Sequence, residues 1–448
     1  MKKIAILGAG ESGVGAALLA HRQGAEVWVS DAGEIAPRYR QTLEEKGIPF
    51  ETGRHTIDKF FEADVIVKSP GIPPTAEVIQ RLKGAGKYII SEVEYAFQCT
   101  SAHIVAITGS NGKTTTTALT YELLKAAGLK VEVGGNIGHS FARLVAEKPA
   151  DYYVVELSSF QLDDIDRFRP AIAVLLNITA DHLDRYGYDM ARYAAAKLAI
   201  ARNQQADDLF IYRQDDPWTI RAMSGKPLQA RTQCFALQQA EGLAAYLSGQ
   251  HIQLPGYGSF STAEMQLMGP HNALNAMAAL LVAKALGAQP EQIRPALNGF
   301  TAIEHRLEKV AQIAGVTYIN DSKATNVESV WYALQSMDRP VVWIVGGIDK
   351  GNDYSLLEEL VKKKVKYLIV LGENKEKFFQ HFGYKPFAQV MRMKDAVELA
   401  ARVSEAGDYV LLSPACSSFD LFENYAQRGK VFKYEVKQLG KPAQAESP

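Results

Sequence analysis

The run Thr108, Gly109, Ser110, Asn111, Gly112, Lys113, Thr114, Thr115 follows an apolar, β-branched stretch at 103–107 and opens a segment of helical pattern. Glycines let such a loop bring backbone N–H groups close to an anion. The following helix adds its positive end, Lys113 supplies a point charge and the Thr114 hydroxyl suits Mg²⁺. The full GxxxxGK[ST] pattern would put its first glycine at Ile107, so this is a tightened form whose upstream glycine is Gly109. A plain strand-to-helix turn has no need of a Lys-Thr pair, and triphosphate chemistry is the expected use.

Other constellations stand at strand ends. Gly8, Gly10 and Gly13 complete a GxGxxG after the first strand, with Asp31 closing the second. This pattern brings a diphosphate to the backbone while an acid accepts from a ribose or base, which fits either a dinucleotide or another nucleotide diphosphate. The rigid turn Ser69, Pro70, Gly71, Ile72, Pro73 can line the same crevice. Glu156 ends an apolar strand beside the phosphate loop, as a Mg²⁺-binding acid does in phosphoryl transfer, and His182 sits between Asp181 and Asp184 after the next strand. Asn136, in a Gly-Gly-Asn-Ile-Gly run, and Asn272 and Asn275 offer amides to phosphate or base. Lys197 lies among alanines on a helical stretch, and on spacing alone it reads as structural.

Short β-rich runs alternate with helix-forming stretches throughout, which specifies an α/β chain of mostly parallel sheets. Three sets can be separated: residues 1–100, 101–300 with the phosphate loop, and 301–448. In the last set His305-Arg306, residues 320–326, residues 346–351 and residues 413–418 all fall at or just before strand ends, where open sheets bind ligands. There Lys323, Lys350 and Ser418 suit a small dicarboxylate, and the planar fork of Arg306 suits a phosphate.

With 448 residues, 47% of them hydrophobic, the chain has material for several cores. A formal net charge of −1 offers no basic field for nucleic acid or anionic lipid. Three scattered cysteines form no metal spacing and read as reduced thiols, and no apolar run reaches membrane-spanning length. A cytoplasmic protein acting on small molecules is expected, and the polar tail 441–448 reads as disordered.

Taken in order, T-G-S-N-G-K-T-T, G-G-N-I-G, E-L-S-S-F-Q-L, D-H-L-D-R-Y-G, A-A-K, H-N-A-L-N-A, E-H-R, N-D-S-K-A-T-N and S-P-A-C-S-S-F-D resemble the Mur ligase family along essentially the whole chain. The E-L-S-S-F-Q-L and S-P-A-C-S-S-F-D segments look like its D-glutamate-adding branch. The resemblance implies a Rossmann-like domain for a UDP sugar, a central ATPase-like domain and a C-terminal Rossmann-like domain for the amino acid, in a monomer. The implied reaction joins D-glutamate to UDP-N-acetylmuramoyl-L-alanine through an acyl phosphate, using ATP and Mg²⁺ at two sites.

By the same resemblance Ser12, Gly13, Asp31, Ser69, Gly71 and Asn136 hold the UDP substrate. Gly109, Ser110, Asn111, Gly112, Lys113, Thr114 and Thr115 hold ATP, helped by Asn272, Asn275 and Arg306. Thr114, Glu156, His182 and Lys197 serve the metals, Lys197 as a carbamate, which replaces the structural reading of that lysine. Lys113, His182 and Lys197 are the implied catalytic residues, and Lys323, Thr325, Lys350, Ser418 and Tyr425 meet D-glutamate. Two departures from the family pattern concern the acid of the 346–351 loop, where Ile348 precedes Asp349, and Tyr425, where some relatives have phenylalanine.

Overall fold

The computed structural model describes residues 2–181, 183–225, 227–267, 269–301, 304–349 and 351–440, with Asp184 described by its backbone alone. Among these residues the strands form three sheets. The first runs Phe50–Glu51, Glu26–Ser30, Lys3–Leu7, Val65–Lys68, Ile89–Ser91 in space, every neighbouring pair parallel. Its strands are covered on both faces, which is why they read as continuous apolar runs.

The second sheet is parallel from Val131–Gly135 through Tyr152–Glu156, His103–Thr108, Ile172–Leu175, Leu209–Arg213 and Arg231–Ala236 to Ala245–Ser248, then adds the antiparallel pair His251–Leu254 and Gly258–Ser261. The third orders Glu308–Ile313, Val316–Asn320, Tyr409–Ala415, Val341–Gly346, Val365–Leu371 and Phe387–Val390, with only the first pair antiparallel. This is the α/β class with mostly parallel sheets that the alternation specifies. The strands that patterning passes over are short or lie toward sheet edges. Phe50–Glu51 is two residues long, and Val131–Gly135 ends on two glycines that resemble a loop.

The chain forms two compact units, Met1–Gln266 with Pro270–Phe300, and Thr301 onward with Leu267–Gly269. In the first unit one continuous core runs from Ile6 and Val29 of the first sheet through Phe141 to Tyr153 and Val155 of the second. The helix Glu11–Arg22 packs on the helix Phe141–Glu147, and Gly15 makes the approach possible, since a Cβ there would overlap the Ser140 hydroxyl. Two cores, one on each face of the third sheet, build the second unit around Trp343 and around Phe432.

Two fully buried acids on the helix Glu92–Gln98 seal the first unit. Glu94 Oε2 accepts from the backbone N–H groups of Asp166, Arg167 and Phe168 at 2.9, 3.0 and 2.8 Å. Glu92 Oε1 accepts from the Ala142 N–H, while Oε2 is buried and meets no donor among the described residues. Burial drives the Glu92 carboxyl up to about 7, against the lowering effect of the Ala142 N–H and with a further push from Glu11. The folded chain therefore keeps this proton up to about pH 7, while the unfolded chain loses it near the ordinary value of 4.5. Stability from this group is complete below that ordinary value and is lost as pH rises through about 7. Glu92→Gln keeps an oxygen for Ala142 and cannot titrate. Urea unfolding should find the variant more stable than the parent at pH 8, on the order of 3 kcal/mol, and the two equal near pH 4.

Candidate active site

The phosphate loop joins the strand His103–Thr108 to the helix Lys113–Ala126. Gly109 has φ +156° and Gly112, the residue capping the helix, φ +82°. Both conformations are open to glycine and not to ordinary side chains. A Cβ on Gly112 would also strike the side chain of Asn275, whose Nδ2 donates to Asn272 Oδ1 at 3.1 Å. Both asparagines are buried in the helix Pro270–Ala285, Asn275 against the loop at Gly112 and Asn272 behind it through this bond.

The loop is fastened from its other side by the segment after the strand Ile172–Leu175. The Ser110 N–H donates to the Asn177 carbonyl at 2.9 Å and the Asn111 N–H to Asn177 Oδ1 at 2.8 Å, while Asn177 Nδ2 returns a bond to the Asn111 carbonyl at 3.0 Å. Ser110 Oγ donates to the Thr179 carbonyl and accepts from the Thr179 N–H, both at 2.9 Å. Sequence reading placed chemistry in residues 177–184 but missed Asn177 and Thr179 as the loop's supports. An Asn at a strand end has the signature of a turn former, which hid the role.

Lys113 Nζ donates to the carbonyls of Gly109 at 2.7 Å and Ser110 at 2.8 Å. Lys197 Nζ donates to the same Gly109 carbonyl at 2.8 Å, and Lys197 is 2% exposed. Spacing alone suggested a structural lysine of the usual solvated kind, yet the helix Met190–Leu198 buries it beneath the loop. Burial, then the neighbouring Lys113 charge, hold the Lys197 ammonium well below the ordinary lysine value, opposed by Asp181 and Glu156. The shift is toward the neutral amine, which is the nucleophilic form.

Glu156 ends the strand Tyr152–Glu156 and is 2% exposed. Its Oε1 accepts from Asn136 Nδ2 at 2.9 Å, and its Oε2 is buried and meets no donor among the described residues. A buried, half-satisfied carboxylate close in charge to Lys197, with buried Thr114 opening the helix from the loop, fits a divalent cation. Among the described residues no three His, Cys, Asp or Glu side chains gather into a metal cluster, and His182 lies outside them. The Thr115 hydroxyl is buried without a partner among the described residues. In the Gly-Gly-Asn-Ile-Gly run, the Gly135 and Asn136 N–H groups are already engaged by the His139 and Glu156 carbonyls, so these two amides are structural.

At the C-terminal edge of the first sheet lies a cleft of about 810 Å³, whose lining includes Ser12, Asp31, Ser69 and Gly71. Gly13 packs directly against the Gly8 carbonyl behind it. Asp31 Oδ2 accepts from the Ala9 N–H at 2.7 Å and Oδ1 from the Gly33 N–H at 2.9 Å. The acid therefore also fastens the glycine loop to the second strand. Glu11, after this loop, binds the start of the helix Phe141–Glu147, accepting from the Ser140 N–H at 3.0 Å and pairing with Arg143 at 3.0 Å.

In the second unit, residues 320–326, 346–349 and 413–418 meet around Arg428, which is 1% exposed. Its guanidinium donates to Ser322 Oγ at 3.0 Å, the Ser322 carbonyl at 2.9 Å and the Cys416 carbonyl at 3.2 Å. This arginine lies in the last helix, Tyr425–Leu439, one turn after Tyr425 and outside every quoted motif, and sequence reading gave it no role. Lys323 Nζ lies 5.5 Å from the Tyr425 ring centre, Ser418 is buried, and the Thr325 N–H donates to the Lys323 carbonyl at 2.9 Å. Lys350 lies outside the described residues. Asp349 takes bonds from Tyr354 and Lys377 at 2.5 Å each, and although its burial acts the other way, these hold its carboxyl below the ordinary value.

Arg306 sits between two left-handed residues, His305 at φ 69° and Leu307 at φ 44°. Asp321 helps hold that bend by accepting from the Leu307 N–H at 3.2 Å. The strained backbone on both sides sets the position from which Arg306 departs.

A glycine-lysine-threonine phosphate loop in the central of three α/β sheets, with buried Glu156 and Lys197 beside it, defines an ATP-using ligase, and this chain belongs to the Mur ligase family. The family models described as Mur ligase MurD-like N-terminal domain, Mur ligase middle domain, and Mur ligase glutamate ligase domain match residues 2–91, 107–283 and 305–416. Similar proteins include the UDP-N-acetylmuramoylalanine--D-glutamate ligase of Bacteroides fragilis, 49% identical over 98% of this chain and 100% of that one. That of Porphyromonas gingivalis is 50% identical over 97% of this chain and 98% of its own.

Among solved structures, the UDP-N-acetylmuramate-alanine ligase of Thermotoga maritima has a TM-score of 0.64 at 20% identity, over 98% of this chain and 100% of that chain. MurF of Acinetobacter baumannii has 0.63 at 17%, over 96% and 93%. At such identities these two matches concern the fold alone. Among the described residues no helix is long and apolar enough to cross a membrane.

Because Asn177 supplies both halves of the loop's side-chain clamp, Asn177→Ala should weaken ATP binding roughly tenfold, the scale of one or two lost buried hydrogen bonds. Calorimetric titration with ATP measures this, and circular dichroism controls for the fold.

Proposed function

We propose that the chain joins D-glutamate to UDP-N-acetylmuramoyl-L-alanine at the expense of ATP, as a monomeric cytoplasmic enzyme. The observation that carries this reading is the clamped loop 109–112 with Lys113 and Lys197 converging on it, in a chain 49% identical along its length to a protein named for that reaction.

A carboxylate repels an amine and has no leaving group, so it must first be activated. The phosphate loop and Lys113 hold the phosphates, with the Ser110 and Asn111 N–H groups taken up by Asn177, and Lys113 offsets charge while the γ-phosphoryl passes to the L-alanyl carboxylate, leaving ADP and an acyl phosphate. The D-glutamate amine attacks the acyl carbon, a tetrahedral oxyanion forms, and phosphate leaves as the amide closes. Lys323, Thr325, Lys350, Ser418 and Tyr425 hold the incoming dicarboxylate. Asn272, Asn275 and Arg306 assist with the nucleotide, and Ser12, Gly13, Asp31, Ser69, Gly71 and Asn136 hold the UDP-linked acid.

Thr114, Glu156, His182 and Lys197 would serve two Mg²⁺ sites, and bound Mg²⁺ supplies positive charge at the phosphoryl oxygens. Lys197 takes that part as a carbamate. Its amine, in the neutral form, adds to the carbon of CO₂, a proton leaves to solvent, and a buried neutral group becomes an anion. The orphaned Glu156 oxygen and the suppressed Lys197 charge support this assignment.

The reading is tested by phosphate release across pairs of acceptor and amino acid. Turnover should require ATP, UDP-N-acetylmuramoyl-L-alanine and D-glutamate together; turnover with a folate and L-glutamate instead would overturn it. Lys113→Ala should lose about 10²-fold or more in kcat, the scale of one preorganised electrostatic donor. Lys197→Ala should be inactive and partly restored by a short carboxylic acid, and full activity of that variant without added acid would remove the carbamate role.

A further inference from the structure

The turn 69–73 is supported from below by two charges to which sequence reading gave no role, Lys68 and the Arg185 of the D-H-L-D-R-Y-G run. Lys68 ends the strand Val65–Lys68 and is 1% exposed, yet its ammonium donates to the Ile72 carbonyl at 2.9 Å and pairs with Asp164 at 2.9 Å. From the central sheet's side, Arg185 donates to the Pro70 carbonyl at 2.9 Å. Its guanidinium lies 4.1 Å from the Phe160 ring centre and 3.5 Å from Asp163. Two carbonyls of one short turn are thus held by two cations, one from each domain of the unit, and the two cations are balanced by adjacent acids.

Those acids have a telling location. Asp163 and Asp164 directly follow the helix Ser159–Leu162, which Ser158 and Gln161 cap reciprocally two residues after Glu156. Arg185 belongs to the short helix Leu183–Tyr186 that follows the Asn177–Thr179 clamp. The turn that lines the cleft is therefore bound to both segments that carry the phosphate-site residues. Burying four charges contributes little net stability compared with apolar packing of similar volume, so the arrangement is better explained by what it positions.

We propose that Lys68 and Arg185 are positioning residues that fix the turn 69–73 for the uridine diphosphate part of the acceptor and tie it to the segments bearing Glu156 and the Asn177 clamp. This rests on the reading that the cleft takes a UDP-linked substrate. It assigns to the Lys68–Asp164 pair a share in acceptor recognition without contact with the acceptor.

The test uses the full-length protein, with UDP itself as the calorimetric probe and steady-state kinetics alongside. Lys68→Met keeps the stem and removes the charge, and should weaken UDP binding and raise KM for the UDP acceptor about tenfold while KM for ATP holds. Lys68→Arg should recover part of the loss. Asp164→Asn, which retains a hydrogen-bonding oxygen for Lys68, should give a smaller shift in the same direction and serves if Lys68→Met does not fold. Wild-type protein that fails to bind UDP would sink the substrate reading. Wild-type binding matched by undiminished binding in Lys68→Met or Asp164→Asn, or an equal rise in KM for ATP, would overturn the positioning role alone.

Discussion

A phosphate loop bent through two glycines has no ladder of its own, so something outside the loop must hold it in shape. Here Asn177 and Thr179 do so from the neighbouring strand end, and Asn275 closes against Gly112 from behind. With φ +156° at Gly109 and +82° at Gly112, the loop occupies backbone regions that its surroundings must enforce. The Gly109 carbonyl then collects both Lys113 and Lys197, and burial, aided by the nearby Lys113 charge, holds the Lys197 ammonium well below the ordinary lysine value. Loop shape, lysine convergence and the chemistry assigned to Lys197 all follow from that external support.

The join between the first and second sheets obeys a related constraint. A shared apolar core supplies the adhesion, while polar groups set into it fix the registration. Glu94 gathers three backbone N–H groups, Glu92 holds Ala142, Glu11 holds Ser140 and Arg143, and Lys68 meets Asp164. Hydrogen bonds are directional where hydrophobic contact is not, so they decide how the cleft stands relative to Glu156.

In the second unit one buried side chain has the corresponding task. Arg428 binds loops from separate strand ends through Ser322 and Cys416, and its five donors in a rigid plane suit several carbonyls at once. Lysine could not hold the same set of directions. The loops bearing Lys323 and Ser418 are thereby assembled by a helix that contributes no motif of its own.

The sequence by itself determined the α/β class, most of the internal strands though not Arg231–Ala236, Ala245–Ser248 or His251–Leu254, the phosphate loop and the family, because parallel strands buried on both faces leave apolar runs and an anion loop needs glycine, lysine and threonine at fixed spacing. It left undecided which strands form the edges, since short strands such as Phe50–Glu51 gain their pairing from a neighbour and carry no pattern. Spacing alone could not distinguish Lys197 from a solvated helical lysine, which only the family resemblance singled out, and neither gave a role to Asn177, Lys68 or Arg428. Those roles come from burial and from partners 88, 66, 96 and 106 residues away in the chain, at Gly109, Asn111, Asp164 and Ser322. Local spacing reports what a segment can do by itself; only tertiary packing decides which distant groups it must answer to.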